Sequence, residues 1–169
     1  MRKALLGILL ATTVASAAYD IKTVDLEMQP TLVLSGTVKT DDEIPQKLSE
    51  MFPKIWQYLA SKKMQPSGAP FARYFKHDAT SIVFEAGFPL SQPMAGEGDI
   101  KASSLPAGTT ANTTHIGPFE EIGGAYAALH AWMGTNQKTP RSAPWESYVT
   151  DPATVPVSEL KTEVFYPFK

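Results

Sequence analysis

The chain alternates between short stretches with a two-residue apolar period and two longer stretches with a helical one. Ile21 to Met28 alternates, with Ile21, Thr23 and Asp25 against Lys22, Val24 and Leu26, and Pro30 closes it. Thr31 to Val38 is apolar and β-rich, interrupted at Gly36. Together the two read as a hairpin at the start of the folded region. Ile44, Leu48, Phe52, Ile55 and Leu59 then recur at helical spacing, so one face of that segment is core. Thr40 or Asp41 caps it, Asp42 and Glu43 suit the positive end of its dipole, and Pro45 fits a first turn. Pro53 inside the pattern is expected to kink or split the helix. Ser61-Lys62-Lys63 ends it and Pro66-Ser67-Gly68 is a turn. Phe71 to Phe75 and Ser81 to Leu90 read as strands, with His77-Asp78 in their connection.

Ser91 to Gly98 holds Pro93, Gly96 and Gly98 and reads as a linker. After it the series begins again. Ile100 to Leu105 and Gly108 to Ile116 read as strands, and Gly117-Pro118 as a turn. Glu120 and Glu121 open a second helix, with a buried stripe of Ile122, Ala125, Tyr126, Leu129 and Met133 and a stop at Gly134. Pro144 to Thr150 and Glu159 to Phe168 are two further strands. The order strand, strand, helix, strand, strand therefore occurs twice. Residues echo as well: Ser67 to Tyr74 parallels Arg141 to Tyr148, and Glu85 to Leu90 parallels Glu163 to Phe168. A repeat of about 70 residues is too long for a solenoid unit. Two copies are expected to pack as a pseudo-twofold pair with a groove on the axis. The fold class is thus α+β: residues 18–169 form one domain with halves at about 20–90 and 100–169.

The first residues stand apart from this pattern. Met1-Arg2-Lys3, an apolar run from Ala4 to Val14 and Ala15-Ser16-Ala17 read as a secretory signal peptide over residues 1–17, cut after Ala17. The run is well short of the ~20 residues of a membrane span, so no span is expected after cleavage, and a periplasmic or secreted location is. Without a cysteine the chain has neither disulfides nor a lipoprotein anchor, and its core alone must hold it. Loss of Arg2 and Lys3 takes the net charge from −2 to −4. A mildly acidic chain with no basic run lacks the electrostatic footprint of a nucleic-acid binder.

Candidate chemistry concentrates in Ser142-Ala143-Pro144-Trp145-Glu146-Ser147-Tyr148. Strand alternation puts Glu146 and Tyr148 on one face, and Trp145 and Ser147 on the other. If the Glu146 face is inward, a carboxylate sits among apolar groups at a cost of several kcal/mol unless something pairs it. No Lys or Arg adjoins it in sequence, so the ligand is the expected partner. The first repeat carries Ala72 at the matching position, which favours function over architecture for Glu146. His115 admits two readings, a general base and a structural hydrogen bond, of which the second is favoured. His77 and His130 are isolated, no histidine pair has metal-ligand spacing, and neither metal nor cofactor is expected. No nucleophile elbow or phosphate-cradling loop is present.

Several of these residues carry a resemblance. His115-Ile116-Gly117-Pro118-Phe119-Glu120-Glu121-Ile122, the helix ending in Ala131-Trp132, Pro144 to Tyr148 with Asp151-Pro152 soon after, and Glu163 to Pro167 resemble the GyrI-like (gyrase-inhibitor-like) effector-binding domain. The resemblance covers nearly all of the chain after residue 17 and is stronger in its second half. It implies two β-α-β-β-type repeats about a pseudo-twofold axis, an antiparallel sheet with two main helices, and a central cleft. It also implies a bulky aromatic ligand, often cationic, held by an inward-facing glutamate that Glu146 matches. The candidate ligand-binding residues are Glu146, Tyr148, Tyr74, Trp145 and Phe119, although alternation turns Trp145 toward core packing. Stand-alone relatives that hydrolyse strained cyclopropane-bearing compounds imply a second reading, with Glu146 and Tyr148 as catalytic residues. Haem is a third ligand class, because a haem-binding family shares the general fold. The regulators of the family carry a DNA-binding domain, so the lack of one here and the leader argue against direct DNA contact.

Overall fold

A computed structural model describes residues 19–169; the signal peptide expected over residues 1–17 lies outside the described residues. The strands are β1 (Lys22–Leu26), β2 (Gln29–Val38), β3 (Phe71–Asp78), β4 (Ser81–Pro89), β5 (Lys101–Leu105), β6 (Gly108–Ile116), β7 (Trp145–Tyr148) and β8 (Lys161–Pro167). The helices are α1 (Ile44–Ser61), between β2 and β3, and α2 (Gly123–Thr135), between β6 and β7. Short 3-10 turns at Asp41–Glu43 and Phe119–Glu121 lead into the two helices. The α+β class and the twice-repeated order of elements are as the periodicity predicts, and residues 91–98 connect the halves without helix or strand.

All eight strands join one antiparallel sheet in the order β1-β6-β8-β7-β3-β4-β2-β5. The expected hairpin of the first two strands does not form. β1 pairs with β6, while β2 lies between β4 and β5. Leu32, Val33 and Leu34 are all buried, so β2 is covered on both faces and takes two strand partners, whereas β1 is half exposed and suits an edge. Glu27-Met28 also lacks the Asn or Gly that a tight two-residue hairpin turn selects.

That short link bends the sheet. Six strand spacings separate β1 from β2, about 29 Å across a flat sheet. Leu26 and Gln29 are three Cα steps apart and reach at most about 11 Å. The link from β5 to β6, through Pro106 and Ala107, imposes the same condition from the other edge. The sheet must therefore curl until its edges approach. Leu26 of β1 and Leu105 of β5 accordingly pack against one cluster of Val33, Phe71 and Trp145.

The opposite face carries the helices. The α1 stripe of Leu48, Met51, Ile55 and Leu59 is buried against residues of β2 and β4, including Leu32, Leu34, Phe84 and Phe88. The α2 stripe of Ala125, Leu129 and Met133 is buried with Ala111 and Val164. Local boundaries differ from the sequence reading in three places. α1 does not split at Pro53, which lies on its exposed side, where the carbonyl deprived of a donor faces water. Glu120 and Glu121 sit in the 3-10 turn ahead of α2, which ends at Thr135, one residue beyond Gly134. His77 and Asp78 belong to β3, and Asp78 accepts the amide and hydroxyl of Thr80 to close the turn after it.

Candidate ligand-binding site

The helices leave the middle of their face uncovered. α1 packs chiefly on β4 and β2, and α2 on β6 and β8, while the central pair β3 and β7 lies between them. An open cleft of about 1690 Å³ follows this seam. Its α1 wall is apolar, with Ile44, Leu48 and Phe52; its α2 wall includes Ile122, Tyr126 and His130.

Glu146 stands on the floor. In the β3–β7 ladder it is the direct partner of Ala72, so the residues that match between the repeats face each other across the central strand pair. Ala72 is fully buried, and Glu146 is 7% exposed. Three phenolic hydroxyls converge on the carboxylate. Tyr126 of α2 donates to Oε1 at 2.9 Å; Tyr148 of β7 and Tyr74 of β3 donate to Oε2 at 2.9 and 3.4 Å. The hydroxyls of Tyr74 and Tyr148 are themselves 3.3 Å apart. Glu146 therefore has hydrogen-bond partners within the chain. Its partners are neutral donors, and among the described residues no Lys, Arg or His forms a salt bridge with it. The other buried glutamate, Glu85 on the opposite face, does have a cation, Arg73, at 3.7 Å.

Electrostatics follow from this cage. Burial raises the Glu146 pKa above the ordinary glutamate value, although the hydrogen bonds from Tyr148, Tyr126 and Tyr74 pull the other way. All three tyrosines are pushed well above their ordinary value, by burial first and by the Glu146 charge second. The charge of His77 at the rim also favours the ionised carboxylate, while the groups that hydrogen-bond to it are neutral hydroxyls.

The residues singled out in the sequence do not all meet in the cleft. Glu146, Tyr148, Tyr74 and Phe119 come together, and the Phe119 ring meets the Tyr148 ring edge-on at 5.6 Å. Trp145 does not join them. As alternation predicts, it lies on the opposite face, 3% exposed and stacked on Phe165 with centroids 5.1 Å apart. Tyr126 belongs to the apolar stripe of α2 by its spacing, but its hydroxyl, a group that seeks a partner when buried, reaches Glu146. His77 reaches the cleft through a β-bulge. The register slips between Tyr74 and Lys76, leaving Phe75 as the extra residue. His77 then pairs with Ile82 on the helix face and lies 2.7 Å from Asp41 at the cleft rim. His115 bonds to Tyr19 and to the Pro118 carbonyl and has the structural role expected of it. Among the described residues no group of three or more His, Asp or Glu converges as it would around a metal ion. None of the described helices is long and apolar enough to cross a membrane.

A family model described as the GyrI-like small molecule binding domain matches residues 19–169. The chain belongs to this family. No curated protein matches this GyrI-like chain in sequence. Among solved structures, the GyrI-like fold is shared with EcmrR in a complex with DNA, with a TM-score of 0.80 at 18% identity over 92% of this chain and 59% of that one. This chain therefore spans about three-fifths of EcmrR. The EcmrR C-terminal domain alone gives 0.71 at 20% identity, over 89% of this chain and 98% of that domain. A hydrolase from Listeria innocua gives 0.64 at 13%, over 92% and 94%. SAV2435 bound to tetraphenylphosphonium gives 0.58 at 11%, over 89% and 93%.

Proposed function

We propose that this GyrI-like domain is an exported small-molecule-binding protein that holds a hydrophobic, aromatic, cationic ligand in the cleft between α1 and α2. The observation that carries this reading is the Glu146 carboxylate, buried on the floor of an aromatic cleft with no salt bridge to it among the described residues. A ligand cation supplies the missing charge. The faces of Phe52, Phe119 and the tyrosines supply stacking and cation–π attraction. The cleft exceeds the ~300–1,000 Å³ of an ordinary ligand pocket and suits a bulky guest. SAV2435, a structural neighbour, is itself bound to tetraphenylphosphonium, a cation of this kind.

Titration calorimetry with tetraphenylphosphonium and with a neutral aryl analogue of similar bulk tests the reading. The cation is expected to bind more tightly; equal affinity for both would remove the role assigned to charge. Export rests on the pattern of residues 1–17. The protein recovered outside the cytoplasm is expected to begin at Ala18, and an intact mass that retains Met1 to Ala17 would count against cleavage.

A second reading is favoured by the raised pKa of Glu146 and by the hydrolase among the structural neighbours. Here Glu146 is a general base on water, and Tyr148 positions it. Mass spectrometry of the ligand after incubation separates the two. A retained ligand of unchanged mass supports binding, and a ligand that has gained one water supports hydrolysis.

A further inference from the structure

His115 is 2% exposed and lies outside the cleft, yet both ring nitrogens are engaged. Nε2 is 2.8 Å from the Pro118 carbonyl oxygen, which only accepts, so Nε2 carries the proton. In the neutral ring Nδ1 then accepts, and the Tyr19 hydroxyl at 2.8 Å donates to it. The Tyr19 ring stacks on the imidazole, with centroids 6.1 Å apart and planes at 28°. Gly124 makes room for it: a Cβ there would stand 3.0 Å from the Tyr19 oxygen.

Beyond His115 the chain turns sharply. Gly117 has φ +131°, a left-handed conformation that suits glycine, and its N–H donates to the Leu160 carbonyl. The Pro118 carbonyl accepts from His115 Nε2 and also from the Glu121 amide. That carbonyl lies in the same peptide plane as the Phe119 nitrogen. Whatever orients the plane therefore sets the N–Cα bond from which the Phe119 side chain departs. Phe119 packs edge-on against Tyr148, and Tyr148 donates to Glu146.

We propose that Tyr19 and His115 form a hydrogen-bonded strut that positions Phe119, so that docking of the N-terminal segment sets the wall of the cleft. Both are positioning residues that act through Phe119. The effect on ligand rests on the cationic-ligand reading above, but the effect on Phe119 does not.

The experiment uses 4-fluorophenylalanine at position 119 and its fluorine NMR line in the ligand-free protein. A single sharp line is expected with Tyr19 present. Tyr19→Phe keeps the ring and removes only the donor; it is expected to shift and broaden the line while lowering the Tm by only a few degrees, so that the protein stays folded at the temperature of the measurement. An unmoved line overturns the proposal whatever any ligand does. A double-mutant cycle with tetraphenylphosphonium completes the test. Tyr19→Phe is expected to weaken binding by up to about tenfold, the ceiling for an ordinary hydrogen bond. Adding it to Phe119→Ala should cost nothing further, and additive losses would overturn the strut. If unmodified protein does not bind the probe at all while the line still moves in Tyr19→Phe, the strut stands and the cationic-ligand reading falls.

Discussion

Glu146→Gln is expected to cost a cationic ligand ~2–5 kcal/mol, roughly 30- to several-thousand-fold in affinity, and a neutral analogue far less. The substitution keeps the shape of the side chain and removes its charge. In wild type three hydroxyls donate to the carboxylate, but none of them carries a positive charge. The bound cation gains the carboxylate charge in a setting that screens it poorly. A glutamine can still accept from Tyr126 and donate its N–H groups toward the oxygens of Tyr74 and Tyr148, since hydroxyls rotate. The fold should therefore tolerate it. Calorimetry with the charged and neutral probes reads the difference directly. Equal losses for both, or none for either, would make Glu146 structural.

Acidity gives an independent handle on the same group. The pKa of Glu146 is raised in the folded chain, chiefly by burial. Between the ordinary carboxyl range and that raised value, the folded chain holds a proton that the unfolded chain has already released. Stability contributed by this group is therefore greatest in acid and is lost as pH rises through that window. Glu146→Gln has no such loss. Its melting temperature is expected to match wild type in acid and to equal or exceed it above the window. Cation affinity of wild type runs the other way, weakening as acid neutralises Glu146. Tyr126→Phe removes a donor that favours the ionised form, so the midpoint of that affinity profile should move to higher pH. A profile that stays in place would show that Tyr126 does not tune the carboxylate.

Local pattern carried the element order and the face of Glu146, because both depend on neighbours within a few residues. Trp145 shows how far alternation reaches: three positions along one strand separate it from Tyr148 by the full thickness of the sheet. Pairing is non-local, and there local reading failed. β1 and β2 are consecutive in sequence but lie near opposite edges, since the second needs two partners and the first only one. The Phe75 bulge is likewise invisible in sequence, because an extra residue shows only against the strand it pairs with. Tyr126 was hidden for a different reason. A helical stripe treats an aromatic as apolar, and where its hydroxyl points depends on how α2 sits beside the β3–β7 seam. The donors to Glu146 come from two strands and a helix, two of them far from it in sequence, so no motif around Glu146 contains the whole cage.

Ala72→Glu should be the most damaging single change at the site. Ala72 is fully buried, and it is the cross-strand partner of Glu146 in the β3–β7 ladder, with Cβ atoms ~5 Å apart. A second carboxylate there would compete for hydroxyls already committed to the first. The pair cannot both ionise without strong repulsion, so the two should share a proton near neutrality. A loss of ~3–5 kcal/mol at pH 7 is expected, the scale of an uncompensated buried charge, with much of it recovered in acid. Urea unfolding at two pH values measures both. Combining Ala72→Glu with Glu146→Ala moves the carboxylate to the other half of the molecule instead of doubling it. Tyr74 and Tyr148 lie on the same face for both positions, but the first repeat has Leu48 where the second has Tyr126, each four residues after the isoleucine (Ile44 or Ile122) that begins its helical stripe. The swapped carboxylate should therefore relieve the repulsion yet lack one donor, giving a chain more stable than Ala72→Glu and less stable than wild type. If the swap is no better than Ala72→Glu alone, repulsion is not the cause, and the cleft tolerates a carboxylate only where Tyr126 can reach it.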